Sequence, residues 1–152
     1  MHLPVYLGLL DSGEQALADS FDLVAEGHGD EPDVRQLCRT LAAQCRERVA
    51  ALRPVLDRYG EKPAAEPERL HAEALPAART GAVGLLRDLQ DLVLLATLVD
   101  SSWTVVCQAA QGLRDRELLA VVCQAQPQVS NQLAWLTTRI KSAAPQALLA
   151  AA

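Results

Sequence analysis

Apolar residues recur along this chain at alternating steps of three and four, the spacing that places side chains on one face of an α-helix. The most regular run is Val34, Cys38, Leu41, Cys45, Arg48, Leu52, Val55 and Tyr59. It predicts a helix from Val34 to Tyr59 with a single cation, Arg48, in the middle of an otherwise apolar or neutral stripe.

Three further runs behave in the same way. A first helix is predicted from Pro4 to Glu26, with Leu3, Tyr6, Leu10, Gly13, Leu17, Ser20 and Val24 as its stripe and Leu9, Ala16 and Phe21 beside it. Gly27-His28-Gly29 is expected to close it in the left-handed conformation. Asp30 is expected to cap the second helix, which carries Pro32 and acids in its first turn. A third helix is predicted over Ala82–Gly112 on Ala82, Leu86, Leu89, Val93, Ala96, Asp100, Trp103, Cys107 and Ala110. A fourth is predicted over Arg116–Ala143 on Leu119, Val122, Gln126, Val129, Leu133, Leu136 and Ile140, with a bend at Pro127.

The connections set the topology. Helices one and two, and helices three and four, are joined by turns short enough to force antiparallel neighbours. Between them, residues 61–80 contain Pro63, Pro67 and Pro76, with a short helix expected over Glu68–Leu75. A helix of nearly thirty residues spans about 40 Å, and twenty extended residues reach about 65 Å. The segment is therefore a crossover that sets helix three parallel to helix two. The expected fold is all-α, a four-helix bundle over residues 1–144 followed by an apolar C-terminal tail, 145–152.

Composition agrees with helix-on-helix packing: of 152 residues, half are hydrophobic but only 3% are aromatic, so the core is built from Leu, Val and Ala. The net charge of −5 comes from Arg and acids interleaved along the chain, leaving no basic stripe for nucleic acid. Cys38, Cys45, Cys107 and Cys123 form no CxxC pair and read as reduced thiols of a cytoplasmic protein. The N-terminus lacks the basic region of a secretory leader. The apolar run Leu92–Val99, bounded by Asp91 and Asp100, is too short for a membrane span.

The segments Cys38-Arg39-Thr40-Leu41-Ala42 with Asp57-Arg58-Tyr59-Gly60, Trp103-Thr104 through Arg114-Asp115, and Leu133-Ala134-Trp135-Leu136 to Ala144-Pro145-Gln146-Ala147-Leu148 resemble small bacterial ferritin-like proteins whose iron ligands are absent. The resemblance covers nearly the whole chain and implies two helical hairpins joined by a long crossover. Metal-binding members of this architecture use a Glu from each of two helices and Glu-x-x-His from the other two. Here the central slots hold Cys45 and Arg48 on helix two, Gln126 and Val129 on helix four, and Asp100 on helix three. Helix one offers Gly13, Leu17 and Ser20, with Glu14 and Asp19 beside them. A guanidinium repels a dication, so no metal and no cofactor are expected. The lone Glu68–His71 pair lies in the crossover, and His28 with Glu26, Asp30 and Glu31 decorates helix ends.

The expected site is a polar cluster of Arg48, Asp100, Gln126 and Cys45, in which Arg48 and Asp100 meet as a buried ion pair and Gln126 satisfies the remaining donors. The alternative leaves Arg48 snorkelling and Asp100 at the surface. Trp103 and Trp135 are read as packing residues. Glycines 8, 13, 81 and 84 are read as points of close helix approach. The expected function is a metal-free structural or protein-interaction module with a homo-oligomeric (dimeric) or protein partner, and no membrane or nucleic-acid partner. Two alternatives stand beside it. One is a metal-dependent oxidoreductase using Glu14, Asp19, Asp100 and a cysteine. The other is a small-ligand carrier gated at Pro127.

Overall fold

Four long α-helices build the molecule: α1 (Leu3–Gly27), α2 (Pro32–Tyr59), α3 (Gly81–Leu113) and α4 (Arg116–Pro145). The structure is a computed structural model and describes residues 1–60 and 73–150. Residues 61–72, which include Pro63, Pro67 and the Glu68–His71 pair, lie outside the described residues. Leu75, at the end of the expected short helix, is not helical.

Helix α1 packs against α2 and α3, and α4 packs against α3 and α2; α2 and α3 lie on a diagonal, as do α1 and α4. Side-chain pairs give the directions. Asp22 reaches Arg46 and Glu14 reaches Arg48, so α1 and α2 are antiparallel. His28 meets Asp88 and Glu14 meets Trp103, so α1 and α3 are antiparallel. Arg139 reaches Asp33 and Arg58 reaches Asp115, so α2 and α4 are antiparallel. Helices α2 and α3 are consequently parallel, and the segment joining them leaves one end of the bundle and arrives at the other.

The predicted stripe of α2 is buried at every position up to Val55, with Tyr59 half-buried, and α1 buries its stripe apart from a half-buried Tyr6. On α3 and α4 the seam keeps alternate positions of the predicted line and replaces the others by the preceding residue, a rotation of about 50°, half of one residue's turn. The buried line of α3 is Leu85, Leu89, Leu92, Ala96, Val99, Trp103, Val106 and Ala110, which leaves Val93 and Asp100 half-buried beside it. That of α4 is Leu118, Val122, Ala125, Val129, Gln132 and Leu136, which leaves Gln126 and Leu133 on its flank. Apart from Asp100 both lines of α3 are apolar, so periodicity alone does not choose between them. The choice is made by which line faces the rest of the bundle.

The helix ends depart from expectation in informative ways. The N-cap of α2 is Glu31, without a side-chain cap bond, so Asp30 does not cap the helix. His28, not a glycine, is the C-cap of α1, and its φ of −120° is not left-handed. Gly27 is required for space instead, since a Cβ there would collide with Ala78 of the incoming connection. A Cβ on Gly84 would lie 2.9 Å from Arg79 Cβ of the connection rather than against another helix, and one on Gly8 or Gly81 would meet open space, so none of these three marks a close helix approach. Gly60 does close α2 with a positive φ of 82°. Helix α4 continues through Pro127 to Pro145, and one π-helical turn, Gln146–Ala150, follows with Ala147 buried. Although its contiguous apolar run is short, α3 holds an 18-residue window of mean hydropathy 1.5, long and apolar enough by those measures to cross a membrane; 44% of that window is buried in the bundle.

Asp115 locks the end where α2 stops and α4 starts. Its carboxylate accepts from the Leu118 amide at 3.1 Å, from Arg58 at 2.8 and 2.9 Å, and from the Tyr59 hydroxyl at 2.5 Å. Burial pushes its carboxyl upward, but the Tyr59 hydroxyl, the Leu118 amide and Arg58 outweigh burial and hold it below the ordinary carboxylate value. A lowered folded-state pKa stabilises the fold above the unfolded-state value, and that contribution is lost as pH falls through the folded-state value. Asp115→Asn, which retains a capping side chain, should therefore melt below wild type at pH 7. The deficit should shrink on acidification below about pH 4, as thermal melts followed by circular dichroism would show.

Candidate functional site

Midway along the bundle, all four helices contribute polar groups to an apolar interior. Glu14 of α1 is fully buried, and Arg48 of α2 is 3% exposed. Arg48 Nε donates to Glu14 Oε1 at 2.8 Å and Arg48 Nη2 to Glu14 Oε2 at 3.0 Å, a bidentate pair. From α3, the indole Nε1–H of Trp103 donates to Glu14 Oε1 at 2.8 Å. Helix α4 supplies acceptors for the rest of the guanidinium: Gln128 Oε1 lies 3.1 Å from Nη1 and Gln132 Oε1 lies 3.2 Å from Nη2. Cys45 Sγ, one turn before Arg48 on α2, also lies 3.2 Å from Nη2.

A buried guanidinium is tolerated only when its charge is matched and its donors are used. Glu14 supplies the charge, and the two glutamines and the sulfur occupy donors that the carboxylate does not reach. The Gln132 amide is oriented by this arrangement, because its oxygen must face Arg48. Its Nε2 is left buried without a partner among the described residues.

Burial, and next the negative charge of Glu14, push the Cys45 thiol far above its ordinary range, against the opposing pull of Arg48. The group stays a thiol and donates to Gln132 Oε1 at 3.7 Å. Cys38 is likewise pushed up to about 12, by burial first and by Asp33 second.

Of the four residues expected in the cluster, Arg48 and Cys45 are brought together and Asp100 and Gln126 are not. Asp100 lies on α3, diagonal to α2, and on the half-buried flank rather than the seam. Gln126 stands on the corresponding flank of α4, and Gln132, six residues on, takes the role expected of it. Glu14, Trp103, Gln128 and Gln132 are the additions. The signal for Glu14 is present in the sequence: Leu3, Leu7, Leu10, Glu14, Leu17, Phe21 and Val24 form an unbroken four-three stripe with one acid at its centre, the counterpart of the stripe that carries Arg48. Trp103 is a packing residue, as expected, but it also donates a hydrogen bond to the carboxylate.

A second polar cluster fastens the incoming connection to the other end of the bundle. His28 Nε2 and Asp88 Oδ2 are 2.8 Å apart and both groups are buried. Asp88 also accepts from the Arg79 amide at 2.9 Å and from Arg79 Nη1 at 2.7 Å, and the same nitrogen reaches Asp91 at 2.7 Å. His28 therefore turns inward to α3, and its sequence neighbour Glu31 pairs with Arg139 instead.

No protein-family model, no curated protein and no solved structure matches the chain. The chemistry of the site is read from its donor set alone. Among the described residues, no group of three or more His, Cys, Asp or Glu side chains is placed to hold a metal ion. Glu14 is the only carboxylate in the central cluster, and both its oxygens are engaged by cationic or N–H donors. The set fits a guanidinium and does not fit a metal dication.

Glu14→Gln should cost about 3–5 kcal/mol in urea unfolding because Arg48 is left buried without a counter-charge, while Asp100→Asn should stay within about 0.5 kcal/mol of wild type. Glu14→Gln should also change the fluorescence of Trp103, whose indole bonds to that carboxylate. In the folded protein an aromatic disulfide reagent should rapidly modify only Cys123, the exposed cysteine, and should reach the three buried thiols after denaturation.

Proposed function

We propose that the chain is a ferritin-like bundle without a metal centre that works as a structural or protein-interaction module, its interior polar cluster standing where the family's di-metal site would lie. The arrangement of helices supports the first part: two antiparallel pairs joined by a connection running from one end of the bundle to the other, as in ferritin-type topologies. The observation that carries the second part is the Glu14–Arg48 pair. A cation supplied by the chain itself sits at mid-bundle, bidentate on the one buried carboxylate there. A pair whose carboxylate oxygens are both engaged by N–H donors offers no open coordination position.

The oxidoreductase reading requires Glu14, Asp19 and Asp100 to act together. Asp19 is exposed and tied to Arg46, and Asp100 sits on the flank of α3. The carrier reading requires an interior pocket near Pro127. Two described grooves, of about 470 and 330 Å³, are lined respectively by residues of Gly29–Thr40 and by residues of the connection with Asp91–Leu98, away from that proline.

Elemental analysis of protein purified without chelator decides between the first two readings. Less than about one-tenth of an iron, manganese or zinc per chain is expected. A stoichiometric metal that survives dialysis would overturn the proposal.

A further inference from the structure

The last part of the connection, residues 73–80, lies against the end of α1 and enters α3 at Gly81, whose φ of 75° turns the chain into the helix. It is held differently from the rest of the molecule. Leu75 and Ala78 are half-buried and the other six residues are exposed. Among the described residues, none of its amides pairs with a backbone carbonyl. Two amides are held instead by side chains of the helices: Leu75 N–H donates to Ser20 Oγ at 3.0 Å and Arg79 N–H to Asp88 Oδ2 at 2.9 Å. The first half of the segment stands off α3 across the groove of about 330 Å³ that residues 73–76 share with Asp91, Leu94, Leu95 and Leu98.

The groups that hold it are themselves buried. Ser20 and Asp88 are fully buried, and His28 is 4% exposed. Ser20 spends its hydroxyl hydrogen on the Ala16 carbonyl at 2.7 Å, which leaves its oxygen as an acceptor for Leu75. Ala78 occupies the space that Gly27 leaves. His28 Nε2 lies 2.8 Å from the same Asp88 oxygen that holds the Arg79 amide. One carboxylate oxygen thus joins the segment to a buried imidazole. Few buried apolar contacts and no backbone ladder mark a segment that opens without the rest of the fold.

We infer that residues 73–80 form a strap that opens as one unit while the four helices stay folded, and that its closure keeps the His28–Asp88 pair from water. Ser20, Gly27 and Asp88 hold the strap at Leu75, Ala78 and Arg79. Pro76 fixes one dihedral between the first of these anchors and the second, which couples their movements. Arg79 adds an outer fastening, its Nη1 lying 2.7 Å from both Asp88 Oδ1 and Asp91 Oδ2. Its side chain is 44% exposed, so water and salt compete for that contact. Opening removes one leucine and one alanine from half-buried positions. Lifting any of the helices would instead expose a whole apolar stripe and break the central cluster.

Ser20→Ala tests the coupling. It deletes the acceptor of the Leu75 amide, places a good helix former on α1, and removes no contact of Asp88 or His28. Amide hydrogen exchange followed by NMR should show the Arg79 amide, together with that of Leu75, exchanging at least about fivefold faster than in wild type. Amides at the centres of the four helices should be unchanged. Modification of His28 by diethyl pyrocarbonate, mapped by mass spectrometry, should accelerate by a similar factor. Gly27→Ala, which places a methyl group where Ala78 lies, should give the same pattern through a different anchor. Loss of protection at Leu75 alone, with Arg79 and His28 as in wild type, would overturn the inference, because the anchors would then be independent. Equal acceleration at the helix centres would also overturn it, because the segment would then open only with the whole bundle. The outcome is separate from metal content, so this inference and the metal-free reading fail independently.

Discussion

The desolvated Glu14–Arg48 pair is the constraint on which the arrangement of the helices depends. Moving either charge alone from water into the interior costs several kcal/mol, which is recovered only when the partner and further hydrogen bonds are in place. Glu14 lies on α1, Arg48 on α2, Trp103 on α3, and Gln128 and Gln132 on α4. Any change of register between these helices separates a donor from its acceptor. An all-leucine seam would tolerate a slip of one turn with modest loss, because one leucine layer resembles the next. A bidentate ion pair with an indole and two amides around it does not. The cluster acts here as a specifier of register and partner choice among the helices more than as a source of net stability.

The two ends of the bundle are fastened by different chemistry. At one, Asp115 gathers an amide, a guanidinium and a phenol, tying the end of α2 to the start of α4. At the other, Asp88 accepts from Arg79 and meets His28, tying the incoming connection to α1 and α3. Both locks are centred on one carboxylate that several donors approach. The glycine at position 27 belongs to the second lock. It lets the connection lie against the end of α1 where a side chain would hold it away.

The all-α class, the number of helices, their ends to within a residue or two, and the parallel relation of α2 and α3 all follow from periodicity, Gly and Pro positions, and the length of the connection. Arg48 is equally legible, since a lone cation in an apolar stripe must find a partner. The partner is harder to read. Each helix offers several polar residues near its middle, and a rotation of half of one residue's turn exchanges Asp100 for Val99 on α3. Glu14 is found only when the stripe through Leu7 is preferred to that through Tyr6, a choice to which local pattern is nearly indifferent.

The sequence by itself determined that four amphipathic helices form, where they stop, and that one charge is carried into the core, because these follow from side-chain spacing and backbone chemistry within single helices. Only the tertiary structure decided which acid meets Arg48, which glutamine completes its donors, and which line of α3 faces inward. Those outcomes rest on how helices are placed around one another. Asp100 sits on the half-buried flank of α3 and stays outside the cluster however well its sequence position suits it, whereas Glu14, on the adjacent antiparallel α1, lies at the same height as Arg48 and faces it.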